Sequence, residues 1–299
     1  MAQPNWLQAR VEYSVAEALL AALRLAPLPV ANALAQAASR VLDIALPKLR
    51  KTASINLTFA FPKLSEREKK ALVNGVFRSI ARMLVAIARF PTLNAHNISD
   101  WIYYEGLENY LDAKQQGNGV LVATAHLGNW ELSAFAHALM TEPMHVMVRP
   151  LDNLLIDRLV EDRRILSGNR LIFKKDAARA VLKALKQNEA VGVLIDQNTS
   201  AAEGLFVNFF GRLACAGSGF IKLAHHSGAP VIPGFALWDE AQKRYVLRFY
   251  PPIPMTGDVH ADTQRVHAVL EQIIAEHPDQ WLWIHRRWKT RPPGQPSLY

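Results

Sequence analysis

Cysteine is nearly absent: one residue, Cys215, in a chain of 299. That excludes an internal disulfide and any zinc site built from several thiolates. Long apolar runs are missing too. The region from Val15 to Ala38 is rich in Ala and Leu, but Glu17 and Arg24 interrupt it and Pro27 and Pro29 break it. Its longest uncharged stretch, Leu25 to Ser39, is shorter than the roughly 20 residues a bilayer span requires. It reads as two short amphipathic helices, either lying on a membrane or packed on the body as a helical hairpin. The N-terminus has no basic segment followed by an apolar stretch and a small-residue cleavage site, so no secretory signal is expected. There is no H-E-x-x-H, no P-loop and no G-x-G-x-x-G, and Gly217-Ser218-Gly219 lacks the frame of a hydrolase nucleophile elbow. Acidic residues are in deficit, 26 against 34 Lys and Arg, for a net charge of +8. The excess points to anionic partners: a membrane surface, nucleic acid or an acidic carrier protein. Charge alone does not choose among them.

Half of the residues are apolar, enough to bury a substantial core. Residues 1–98 look helical. Ser65 followed by Glu68 forms a capping box that opens a helix running toward Arg89, and Leu72, Val76, Ile80, Leu84 and Ile87 keep helical spacing and are expected to form one buried stripe along it. From Trp101 the pattern alternates. Strands are expected at Ile102–Glu105, Val120–Ala125, His145–Arg149, Arg170–Phe173, Val191–Ile195, Val231–Ala236 and Tyr245–Phe249, with helices between them. Such alternation predicts an α/β fold: a mostly parallel central sheet flanked by helices, preceded by the helical N-terminal region. The expected division is therefore 1–98 and 99–299. Gln197 to Ala214 reads as a long irregular loop, unusual enough in length to suggest function.

The most informative run is His126-Leu127-Gly128-Asn129-Trp130-Glu131. It follows an apolar strand and opens a helix, which puts His126 at a strand's C-terminal tip, where α/β sheets place their chemistry. An imidazole titrates near neutrality and can take a proton from an alcohol. Glu131, five residues on, can hold its other nitrogen. The competing reading is a helix-capping histidine and a first-turn carboxylate favoured by the helix dipole.

Three clusters fall on the same rim if the sheet is parallel. Arg149-Pro150-Leu151-Asp152-Asn153 ends one strand: Arg149 suits a phosphate or an oxyanion, or pairs with Asp152, and Asp152 or Asn153 can cap the next helix. Asp196-Gln197-Asn198 is a polar trio ending a buried strand. Phe206 to Phe210, with Phe209 and Phe210 adjacent, either plugs the core or walls a greasy substrate site. The tail Trp281 to Pro292 interleaves Arg286, Arg287, Lys289 and Arg291 with indoles. That composition suits anionic headgroups, stacks on bases, or wraps the body with a solvated face.

Six segments in order resemble the bacterial lipid A biosynthesis acyltransferases: HLGNWE at 126–131, RPLDN at 149–153, DQN at 196–198, FVNFFGRLA at 206–214, GAPVIP at 228–233 and QWLWIHRRWKTRP at 280–292. The resemblance implies transfer of a fatty acyl chain from an acyl-carrier-protein thioester to a hydroxyl of a membrane glycolipid, at the cytoplasmic face of the inner membrane. Neither metal nor cofactor nor nucleic acid is implied. His126 falls on the family's general base and Glu131 on its orienting carboxylate. Arg149, Asp152 and Asn153 fall on the second motif, and Asp196 and Gln197 on the third. Phe209, Phe210, Arg286 and Arg287 are expected to contact substrate. Two features depart from the family pattern: the region where many relatives carry a single transmembrane helix is broken by proline, and Ala216 stands where they often carry Thr. The competing expectations are an acyl-CoA-dependent transferase acting on another lipid, such as a phosphatidylinositol mannoside or an aminolipid, and a non-enzymatic protein that binds anionic surfaces.

Overall fold

The computed structural model describes residues 5–173 and 177–299. Four helices come first: α1 (Trp6–Leu25), α2 (Leu28–Ala45), α3 (Pro47–Ala60) and α4 (Glu66–Arg89). Pro27 ends the first, and Pro29 sits in the opening turn of the second, where a missing N–H costs nothing. The result is a helical hairpin with Leu20, Leu23, Ala31 and Ala35 buried. The Ser65–Glu68 capping box is present at the start of α4. Of the single stripe expected on that helix, Val76 and Ile87 are buried and Leu72, Ile80 and Leu84 only partly so, while Val73, Phe77, Ala81, Val85 and Ala88 are buried beside them. Neighbours on several sides explain it, since α4 packs on α1, α2, α3 and on a helix of the sheet domain. The stretch Glu66–Thr92 is apolar and long enough to cross a bilayer, yet 56% of its apolar 18-residue window is buried inside the protein.

The rest is α/β. In chain order come β1 (Ile102–Glu105), α5 (Leu107–Gln115), β2 (Val120–Thr124), α6 (Trp130–Met140), β3 (His145–Val148), α7 (Leu154–Arg164), β4 (Arg170–Phe173), α8 (Ala177–Lys186) and β5 (Ala190–Leu194). They are followed by β6 (Gly204–Phe209), β7 (Arg212–Gly217), α9 (Gly219–Ser227), β8 (Val231–Asp239), β9 (Arg244–Phe249) and α10 (Val259–Glu276). Seven strands form one sheet in the order β1-β9-β8-β2-β5-β3-β4, parallel except where β8 meets β9. Gln197–Ala214 is not an irregular loop. Most of its C-terminal part is β6, the start of β7 and the turn between them, an antiparallel hairpin that leaves the main sheet. Alternation failed as a signal there because Leu205, Phe206, Val207 and Phe209 crowd one short segment.

β2 and β5, almost wholly buried, are neighbours in the middle of the sheet. Their register pairs Thr124 with Leu194, so the residues two steps beyond each strand, His126 and Asp196, emerge side by side at the C-terminal edge.

Candidate active site

At that edge His126 Nδ1 lies 2.9 Å from Asp196 Oδ1. A carboxylate only accepts, so Nδ1 carries the proton and donates it, which leaves the Nε2 lone pair free to act as a base. Asp196 also accepts from the His126 backbone N–H at 3.1 Å and from the Trp281 indole N–H at 2.8 Å. Its side chain is 3% exposed, that of His126 15%, so the acid is sealed in while the imidazole reaches the surface. The Gln197 side-chain amide faces Nε2 at 3.3 Å, and Trp130 packs edge-on against the ring at 4.9 Å.

Burial works against a charged imidazole here. The charge and hydrogen bond of Asp196, with Glu131 farther off, outweigh it and raise the His126 pKa above its ordinary 6.5, and Arg164 opposes them. Burial also works against ionised Asp196, but the His126 charge and the bonds from His126 and Trp281 hold its carboxyl well below the usual range.

The turn after His126 explains the glycine and asparagine in the motif. Gly128 has φ +64°, and a Cβ there would sit 2.0 Å from the Ala236 carbonyl oxygen, so only glycine fits. Asn129 caps α6 by accepting from the Leu132 N–H. The N–H groups of Gly128 and Asn129 are committed to Gln280 and Ala236.

Glu131 does not hold the imidazole. It makes a two-pronged ion pair with Arg164, at 2.5 and 2.8 Å, joining the first turn of α6 to the end of α7. A helix continues away from the strand tip, and its first-turn side chain meets the neighbouring helix, whereas Asp196 approaches from the adjacent strand.

Other predicted site residues scatter. Arg149 and Asp152 are exposed, and among the described residues no ion pair joins them. Asn153 is spent on structure: it caps α7 through Leu155 and Ile156, and its amide donates to the Ala9 carbonyl and to Glu12. Phe209 is fully buried against Trp281 and Trp288 and walls no substrate site. Phe210, at the hairpin turn with φ +53°, lines a groove of about 480 Å³ with Phe61, Asn208 and the α10 residues Gln264 and Glu271. Neither His126 nor Asp196 lines that groove. Arg286 is exposed, its guanidinium over the Tyr299 ring.

The tail does not offer its indoles or Arg287 to an outside surface. Trp281, Trp283, Arg287 and Trp288 are each at most 1% exposed. The segment is bolted down by Asn56 of α3, which donates to the carbonyls of Trp283 and His285. His285 comes back to the site, its Nε2 accepting from the Asn198 backbone N–H at 3.1 Å, and burial pulls its pKa down to about 4. Sequence reasoning missed His285 and Trp281 as site residues. Their signal was their place in a tail that also carries buried-type aromatics.

A base-competent imidazole at the tip of a central parallel strand, braced from behind by a sealed carboxylate, equips the molecule for proton abstraction from an alcohol in group transfer. Comparison makes the class definite. Residues 6–290 match the family model described as bacterial lipid A biosynthesis acyltransferase, and the chain belongs to that family. It is an acyltransferase. It is 32% identical over 262 residues to the Escherichia coli K12 lipid A biosynthesis lauroyltransferase, covering 86% of this chain and 85% of that one. The palmitoleoyltransferase of the same organism is 30% identical, covering 87% and 86% of the two chains. The myristoyltransferase is 25% identical, covering 84% and 78%.

Proposed function

We propose that this enzyme moves a fatty acyl chain from an acyl-carrier-protein thioester to a hydroxyl of a lipid A precursor or related membrane glycolipid, at the cytoplasmic face of the inner membrane. The observation that carries the chemistry is the His126–Asp196 pair, with Nδ1 protonated by geometry and Nε2 turned outward. The acceptor hydroxyl displaces the Gln197 amide from Nε2, loses its proton there and attacks the thioester carbonyl. The C–O bond forms, the C–S bond breaks, and imidazolium Nε2–H returns the proton to the departing thiolate. Asp196 fixes the tautomer and stabilises the cation, in a role other enzymes give to the acid of a triad. With Gly128 and Asn129 committed, the backbone N–H groups of Trp130 and Glu131, at the N-terminus of α6, are the donors available to the developing oxyanion.

Membrane attachment is supported by side chains of the helical hairpin. Leu7, Val11 and Val15 form a stripe on α1 that is more than half exposed, and Trp6 beside it is 70% exposed. Leu151, Leu154 and Leu155 extend exposed apolar surface to the start of α7, against which α1 packs. A net charge of +8 suits both anionic lipid and an acidic carrier.

The test is transfer from radiolabelled acyl-carrier protein, with acyl-CoA as competing donor. H126A reduces transfer to background. D196N slows it by roughly 10²–10⁴-fold. Because His126 must be neutral to act, wild-type activity rises with pH through a midpoint above 6.5, and D196N moves that midpoint down by removing the charge that raises it. Full activity in H126A, or an unmoved limb in D196N, excludes the mechanism. Preference for acyl-CoA reassigns the donor.

A further inference from the structure

Arg287 was expected at a substrate surface, but it is completely buried behind the active site. Its Nη1 donates to the Cys215 carbonyl at 2.6 Å and to the Gln197 carbonyl at 3.4 Å, tying β7 to the segment that carries Asp196 and Gln197. Its guanidinium lies over the Phe209 ring at 5.2 Å. Nε and Nη2 bond no described residue. A guanidinium stays charged at any working pH, and here burial only brings its pKa down to about 10, with Asp196 the foremost charge supporting it. Two opposite charges thus lie behind one imidazole: Asp196 in contact with it, and Arg287 deeper, attached to the next residue's backbone.

We propose that Arg287 is a positioning residue for acyl transfer, whose fixed charge limits the pull of Asp196 on His126 and whose hydrogen bond holds Gln197, so that more of the imidazole rests neutral with Nε2 aimed at the acceptor. The proposal rests on the general-base reading of His126 and deepens it. An aspartate alone behind a half-sealed histidine favours the imidazolium, which is useless as a base. A buried cation limits that effect: with His126 neutral, Asp196 and Arg287 sum to zero. The other ionisable groups facing this centre are Glu131 from α6 and Arg164 from α7, which neutralise each other, together with His285 of the tail, His267 of α10, and Cys215 of β7 and Tyr299 beside Arg287, whose pKa values burial raises. Burial lowers both histidines to about 4, so neither carries charge near neutrality. Arg287 is therefore a fixed charge acting on Asp196 that these other groups do not cancel.

The test reads His126 directly, by NMR titration of its ring in the full-length protein without substrate. In R287Q the titration midpoint rises by about half a pH unit or more, and the acid limb of transfer moves up with it. R287K, which keeps the charge, leaves the midpoint within a few tenths of a unit of wild type. A folded R287Q with an unmoved midpoint overturns the proposal, as does an R287K that moves as far as R287Q. If R287Q alone fails to fold, melting of D196N and D196N/R287Q decides. The proposal expects the double variant to be at least as stable as D196N, because both buried charges leave together, and a double variant less stable than D196N overturns it. Since the titration needs no turnover, a wild-type protein that transfers nothing would sink the transferase reading while leaving this measurement intact.

Discussion

Two carboxylates compete for one imidazole, and the one 70 residues away wins it over the one five residues away. The reason is direction. Asp196 is delivered by a parallel neighbour in matched register, whereas Glu131 sits on the first turn of a helix that leaves the strand and finds Arg164. Glu131 contributes to His126 through its charge, and Arg164 opposes it. The pair also fastens α6, and with it the Trp130 and Glu131 N–H groups, to α7. E131Q and R164Q are therefore expected to act alike. Each leaves a largely buried partner uncompensated, which costs on the order of 3 kcal/mol and lowers the melting temperature. Each reduces transfer by loosening the turn that carries the proposed oxyanion donors. E131Q/R164Q recovers stability relative to either single change. The measurement is a double-mutant cycle on melting and on initial rate. A stable E131Q whose pH profile moves as in D196N would instead show Glu131 acting directly on the imidazole.

The elements read well from periodicity because each strand is a short apolar run ended by polar or turn residues, and each helix keeps its own spacing. The expected strand Ile102–Glu105 is β1 to the residue, and α6 fills the interval expected to be helical after the strand at Val120–Ala125. The rim was also legible: His126 and Asp196 were both placed at strand tips facing one side. What local sequence does not encode is strand order. Nothing in residues 120–124 says that β5, and not β3, pairs with β2, and without that the contact between the two tips is hidden. Asn153 shows the complementary limit. Its capping role is local and was readable, but its second job, a tie to α1, joins residues more than 140 positions apart. N153A should lose the cap, about 1 kcal/mol, and both bonds to Ala9 and Glu12, for a total of about 2–3 kcal/mol. Amide hydrogen exchange should then accelerate in α1 and the first turn of α7 while β2 and β5 stay protected. Unchanged exchange in α1 would mean that apolar packing alone holds the hairpin in place.

At the scale of the whole molecule, the tail stayed open among three readings because tryptophan serves equally in membrane interfaces and in cores. Composition cannot separate the two, and the deciding contacts come from Asn56, Asp196 and the β6–β7 hairpin. Closing the tail over the site has a thermodynamic consequence. It helps bury His267 and His285, and His137 is buried on the other side of the sheet domain. In all three, burial lowers the pKa to about 4, against an ordinary 6.5. Between those values the unfolded chain binds protons that the native protein refuses. Their contribution to stability is therefore complete above about pH 6.5 and is lost as pH falls toward 4. Each histidine can steepen the decline by up to about 1.4 kcal/mol per pH unit. His126 works the other way. Its pKa is raised, so its pairing with Asp196 contributes most below 6.5 and fades as pH rises through its native value. With His277, which burial also lowers, four depressed histidines against one raised give a net loss on acidification, and melting temperature should drop steadily from pH 7 to pH 4.5. H267Q, which removes one titrating group from the core, should flatten that slope even if it lowers stability at pH 7. A slope in H267Q as steep as wild type would mean that His267 is already accessible to protons in the native state, and that the tail does not seal the back of the active site.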